Sequence, residues 1–319
     1  MNKINLYVKL IMLFVYLHPE KDAGNMKILF NQKFLLHNAD SEAEGSYRLS
    51  MFKKCADSDV NGESYIELVH PKDYIEQIRN QCLNSEKIAE INLTPDSWEA
   101  AKTAVGLAVR ASENGDFAAI RPPGHHAGRA SSMGFCLFNN IAIAAQKLAE
   151  EGKKVFIFDF DAHHGNGTQE IFYQEDRVMY CSIHQMFSFP HTGLPHETGF
   201  GKGKGFTANL PLSIACDDEQ FLKAVDKAIE IGHNFEPDVV AISAGFDGYY
   251  KDRMMNMDIS LKAYYECGFR LGKAFSNVFA VLEGGYHEDI FQCVRDFVEG
   301  INVGSRPIRD RFNHEMSIG

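Results

Sequence analysis

Short apolar runs separated by longer segments of helical spacing are what most constrains the fold of this chain. Phe117–Ile120, Val155–Phe158, Val178–Ile183, Val239–Ser243 and Val278–Leu282 are apolar at consecutive rather than alternate positions, as expected of strands covered on both faces. Met26 opens MKILF, a further candidate strand. Between these runs, Ser97–Ser112, Asn139–Glu150, Asp218–Asn234 and Ser260–Phe275 carry helical patterning. Such alternation predicts an α/β fold, a single domain whose central, mostly parallel sheet has helices on both faces. Asn38–Tyr47, the Gly-rich His196–Phe206 and Gly248–Met257 are the expected loops.

A chain of 319 residues with 45% hydrophobic content can bury a large core. Its formal charge of −11 and the lack of any Lys/Arg cluster exclude a phosphate-backbone footprint, so no direct nucleic-acid partner is expected. The seven cysteines are odd in number and form no CxxC pair, which points to free thiols in a reducing, cytoplasmic setting. Leu10–Leu17 is an apolar run behind Lys3 and Lys9, too short to span a bilayer and without a small-residue cleavage site. Residues 1–25 are therefore expected to be an N-terminal extension and 26–319 the folded domain, with no membrane span.

Polar constellations follow these strands one after another. The run ending at Phe158 opens into DFDAHHGNG, Asp159 to Gly167. If the extended geometry persists, Asp159, Asp161 and His163 share one side. Buried carboxylates beside an imidazole are costly unless compensated, and a cation is the simplest compensation. The plainer alternative is a Gly-rich turn whose Asp residues cap a helix. The run ending at Ile120 leads to RPPGHHAG, with His125 and His126 adjacent. These are either surface loop residues or catalytic imidazoles oriented by Asp159 and Asn166, since a carboxylate raises a histidine's basicity more than an amide does. SAGFDG delivers Asp247, which is either a turn residue or the third of a ligand set with an open position, the arrangement a catalytic zinc needs. LEGGYH brings Tyr286 to the same sheet edge, as a core tyrosine or as a hydrogen-bond donor to a developing oxyanion.

RPPGHHAG, GFCLFNN, DFDAHHGNGTQ, SAGFDG and LEGGY occur in the order found in the histone deacetylase family of zinc amidohydrolases. The chain resembles most closely the class II histone deacetylases and the bacterial acetylpolyamine amidohydrolases, from about Met26 onward, so that 26–319 is expected to be a deacetylase catalytic domain. The resemblance implies an arginase-like fold and a Zn²⁺ ion held by Asp161, His163 and Asp247. It implies His126 as general base and later acid, His125 as its charged neighbour oriented by Asp159, and Tyr286 as oxyanion donor. It further implies that Phe135, following Gly134, and Phe189 wall a narrow acyl-chain tunnel. A structural K⁺ would sit at Asp159, Asp161, His163, Ser182 and Ile183, held partly by backbone carbonyls.

Departures from the family pattern are informative. Asn166 stands where class I enzymes carry Asp, so His126 is expected to be less basic. Tyr286 is kept, whereas relatives with His there are weak on acetyl-lysine. Met254 stands where a polyamine-selective relative carries an acidic gatekeeper. The expected substrate is therefore acetyl-lysine or a similar acylated amine, with acetylpolyamine as the alternative, though the acidic chain suits cationic substrates; a homo-oligomer is compatible with either. Two other classes are weighed. A two-manganese ureohydrolase would need carboxylates where Gly165 and Tyr249 stand, and a non-catalytic acyl-lysine binder would keep the pocket and lose turnover.

Overall fold

Eight strands form one sheet, and every ladder pair in it is parallel. The protein is seen in a computed structural model that describes residues 24–37, 41, 43–88 and 90–307. The extension expected over 1–25 lies almost wholly outside the described residues, as do Asn38–Asp40 and Glu42 of the expected first loop.

The strands are β1 (Ile28–Phe30), β2 (Ala56–Asp57), β5 (Phe117–Ala118), β6 (Val155–Asp159), β7 (Val178–Gln185), β8 (Thr207–Leu212), β9 (Val239–Ala244) and β10 (Val278–Leu282), in the spatial order β2-β1-β5-β10-β9-β6-β7-β8. A separate antiparallel pair joins β3 (Lys87–Ile88) to β4 (Ile91–Asn92). The consecutive apolar runs have the expected consequence: every residue of β6, β7 and β10 is buried. β5 stops two residues before the expected Ile120 because the Ile120 N–H turns back onto the Ala118 carbonyl at 3.0 Å.

One helical layer holds α1 (Lys72–Leu83), α2 (Pro95–Asn114), α3 (Asn140–Glu150) and α4 (Asn166–Phe172), and the other holds α5 (Asp218–Phe235), α6 (Leu261–Ala274) and α7 (Ile290–Ser305). Of these, α1, α4 and α7 were not anticipated, nor was the edge strand β8. The expected loop Asn38–Tyr47 runs into a 3-10 segment, Ser46–Lys54, and the loop His196–Phe206 contains a 3-10 turn at Gly201–Gly203. In α5, Phe221, Val225, Ala228, Gly232 and Phe235 recur on one face and are buried, and Asp217 with Gln220 closes the N-terminus as a capping box. Glycines bring α6 and α7 together. A Cβ on Gly268 would lie 2.1 Å from the Phe297 carbonyl oxygen and one on Gly304 2.2 Å from that of Phe269, so only hydrogen fits at this crossing. Among the described residues no helix is long and apolar enough to cross a membrane.

Candidate active site

The C-terminal ends of β5, β10, β9, β6 and β7 are neighbours in the sheet, and the polar motifs that follow them converge in a crevice of the kind that open α/β sheets use for ligands. β6 ends at Asp159, so Asp159, Asp161 and His163 are not aligned by a continuing strand as expected. Their own carboxylates arrange the turn instead: Asp159 Oδ1 accepts the Asp161 N–H at 3.1 Å and Asp161 Oδ1 accepts the His163 N–H at 2.9 Å. β9 is paired to β6 with Asp159 opposite Ser243, which places Asp247 across from that turn. There its Oδ1 accepts the Ala162 N–H at 2.8 Å, while Oδ2 lies 2.6 Å from His163 Nδ1.

Asp161, His163 and Asp247 are buried, and one ligand atom from each lies within 4.8 Å of the others. Burial and the adjacent Asp161 charge push the Asp247 carboxyl upward, the response of a site that resists two uncompensated anions. His163 shows the same demand from the other side. Burial alone would lower it, yet Asp247 and Asp161 hold it protonated up to about 10. A positive charge is what this pocket requires, and two carboxylate oxygens with one imidazole nitrogen are a donor set that fits zinc.

The histidine pair is divided by its partners. His125 Nδ1 meets Asp159 Oδ2 at 3.1 Å, whereas His126 Nδ1 meets Asn166 Oδ1 at 2.8 Å. Burial opposes a charge on His125, but Asp161, Asp159 and Glu283 overcome it and raise the imidazole to about 10. Burial, helped by His125 and His163, drives His126 well below the usual histidine value. The two rings, 4.0 Å apart, thus settle into one charged and one neutral imidazole. Because the amide oxygen only accepts, His126 Nδ1 carries the hydrogen and Nε2 keeps its lone pair.

Tyr286 follows β10, with its ring 6.0 Å from that of Phe135. Burial and the Asp161 and Asp247 charges hold its phenol well above 10, against the opposing Arg48, so the hydroxyl keeps its proton. Phe189 lies 5.2 Å from the His126 ring and 6.1 Å from the His163 ring, while Phe135 is on the Tyr286 side. Gly134 has φ of +54°, and a Cβ there would come within 2.4 Å of His126 Cδ2. Met254 is exposed, and with Tyr47 and Tyr286 it lines a cavity of about 790 Å³ outside this centre. Ser182 sits opposite Asp159 in the β6–β7 register and its hydroxyl meets His184 Nδ1 at 2.9 Å; Ile183 follows it in the core.

Several contributors were not anticipated. Glu283, fully buried within LEGGY, accepts the N–H groups of Gly124 at 2.7 Å and His125 at 3.1 Å, and its other oxygen accepts the Ser243 hydroxyl at 3.1 Å. It ties three motifs together. Tyr180 donates its hydroxyl to Asp159 Oδ2 at 3.0 Å. Glu44 bridges Arg48 at 3.0 Å and Arg121 at 2.7 Å in a buried ionic group behind Tyr286.

A histone deacetylase domain profile matches residues 36–301. A probable deacetylase of Archaeoglobus fulgidus is 35% identical over 285 residues, 84% of this chain and 76% of that protein. The crystal structure of an HDA15 HD domain superposes with a TM-score of 0.81 at 30% identity, covering 86% of this chain and 90% of that one. An acetylpolyamine aminohydrolase from Burkholderia pseudomallei gives 0.78 at 26% identity, over 88% and 99%. Matched over most of its length by sequence and by structure, and carrying the paired histidines, the Asp–His–Asp group and the tyrosine at one sheet edge, the chain belongs to the histone deacetylase family.

Proposed function

We propose that this protein is a zinc-dependent deacetylase that hydrolyses the acetamide of acetyl-lysine or a similar acylated amine to acetate and free amine. The observation that carries the reading is the unequal histidine pair beside the Asp161, His163 and Asp247 group. Those three residues would hold the ion, which when bound supplies Lewis acidity to the amide carbonyl and to water. His126, neutral with Nε2 free, takes the proton of the attacking water. It then passes that proton to the departing amine nitrogen as the C–N bond breaks. His125, kept charged by Asp159, stabilises the negative charge that builds beside it. The Tyr286 hydroxyl donates to the carbonyl oxygen as that charge develops. Phe135 and Phe189 flank the approach and suit an aliphatic chain.

The potassium site belongs to the same proposal, supported by the buried Asp159 carboxylate and its register with Ser182. Met254 at the mouth favours acyl-lysine over acetylpolyamine, because its own side chain offers a second ammonium nothing and the neighbouring Asp252 carboxylate is taken up by the Met254 and Tyr286 N–H groups. Acetate release from an acetyl-lysine peptide, run beside N-acetylspermidine, tests the reading. Faster turnover of the peptide supports it, faster turnover of the polyamine reverses the substrate order, and no acetate from either leaves a binding protein.

A further inference from the structure

The segment after Asp247 puts an uneven charge pattern at the tunnel mouth. The cavity of about 790 Å³ there is lined by Tyr47, Tyr250 and Met254 on its apolar side, by Tyr286 where it meets the catalytic centre, and by Lys251 and Arg253. Among the described residues Asp252 is the one carboxylate of that lining, and backbone N–H groups occupy both of its oxygens. It is 6% exposed, with Oδ1 accepting the Met254 N–H at 2.9 Å and Oδ2 the Tyr286 N–H at 2.5 Å. Lys251 is neutralised by Asp289 at 2.9 Å and lies over the Tyr250 ring at 5.6 Å. Arg253 is exposed and has no ion-pair partner among the described residues. A chain of formal charge −11 thus presents, at the entrance to its site, a guanidinium with no ion-pair partner among the described residues.

Resting on the deacetylase reading above, we propose that the mouth selects acylated amines whose flanking group bears a carboxylate, with Arg253 as the specificity-determining residue. A planar guanidinium beside aromatic walls can pair with a carboxylate through two parallel hydrogen bonds. A protonated amine in the same place meets like charge, while the one acid of the described lining, Asp252, is already engaged by two backbone N–H groups. The carboxylate has two possible sources, the substrate's own α-carboxylate or the side chain of an acidic neighbour. Both put an anion a few bonds from the aliphatic chain that enters between Phe135 and Phe189.

Competition binding against a fluorescent acetyl-lysine peptide tests this on the full-length protein. Competitors are acetyl-lysine peptides with Glu, Gln or Lys beside the acetyl-lysine, and peptides ending in acetyl-lysine with a free or amidated C-terminus. In wild type at least one carboxylate-bearing member of a pair should bind roughly threefold tighter than its neutral counterpart, the size expected of a solvent-exposed ion pair. The Lys peptide should bind weakest. Arg253→Gln should level the series and Arg253→Glu should invert it, and the pair that responds identifies the source of the carboxylate. Equal affinities across both pairs in wild type, or an unchanged order in Arg253→Glu, would overturn the assignment. Acetate release from the same peptides is scored separately. Its absence from all of them defeats the deacetylase reading, while the affinity series still judges Arg253.

Discussion

The guanidinium carbon of Arg48 lies 4.7 Å from the centre of the Tyr286 ring, while Arg48 Nε and Nη2 donate to the Gly285 and Glu283 carbonyls at 2.6 and 2.7 Å. One buried cation therefore holds both the ring and the backbone that carries it. Arg48→Met keeps the bulk but removes the donors, and it leaves the Glu44 carboxylate short of a partner. We expect kcat to fall by about tenfold or more, since Tyr286, the proposed oxyanion donor, would be misplaced and lose transition-state stabilisation. Steady-state kinetics beside a thermal melt checks this, and unchanged kcat in a folded variant would refute it.

Tyr286→Phe separates binding from chemistry. On the proposed mechanism its hydroxyl matters once charge builds on the carbonyl oxygen, so kcat should drop roughly 10²-fold while a substrate-sized ligand still binds. Single-turnover rates with a binding isotherm decide the matter; equal kcat would make Tyr286 a packing residue.

Asp247→Ala removes one oxygen donor from the candidate metal group and also the acceptor of the Ala162 N–H. Purified wild type should carry about one zinc-type ion per chain, and the variant little metal and no turnover. Elemental analysis with acetate release measures both. Full turnover by a metal-free variant would sink the assignment.

Acid should unfold this protein through its buried neutral histidines. His70 Nδ1 meets the Arg129 carbonyl at 2.9 Å and its Nε2 accepts the Asn139 N–H at 2.9 Å, so no site remains for a second proton. Burial lowers it from 6.5 to about 4, and burial brings His184 to about 4 and His37 to about 3. Because the unfolded chain takes up these protons near pH 6.5, the stability they reflect is complete above that value. It is lost as pH falls toward 4, each histidine giving up about 1.4 kcal/mol per pH unit between its unfolded and buried pKa. Urea midpoints between pH 7 and pH 4 should decline accordingly, and His70→Gln, which can keep one donor and one acceptor, should flatten the decline. An equal slope in the variant would exclude His70 from the effect.

The layout of the sheet and the convergence of the motifs were legible because each chemical group sits within a few residues of an apolar run, as Asp247 does behind Val239–Ser243. Buried pairings between distant segments were not. Glu44 and Arg121 are 77 positions apart, and nothing local marks either as one half of a buried ion pair. Glu283 lies inside the LEGGY motif yet gives no sign there of its acceptor role, which depends on where the Gly124 and His125 amides arrive. The four-residue spacings Gly268/Gly272 and Gly300/Gly304 are a visible signal of the close α6–α7 crossing, one the apolar patterning alone does not bring out. The edge strand β8 was missed for a simpler reason: its buried positions are the polar Thr207 and Asn209 while its apolar residues are only partly buried, so no continuous apolar run marks it.

The place of β10 in the sheet also bears on how the protein is made. β5 delivers the histidine pair and β9 delivers Asp247, but the two strands are separated by β10, which follows both in chain order. Until residues 278–282 have emerged and slipped between them, His126, the proposed base, and Asp247 of the candidate metal group have no shared wall, and Glu283 is not there to gather the amides of the first loop. Nascent chains released short of this point would display two unpaired strand edges and an unfinished pocket, a species more prone to aggregate than to act. The crevice is thus closed by a strand made well after the two it joins.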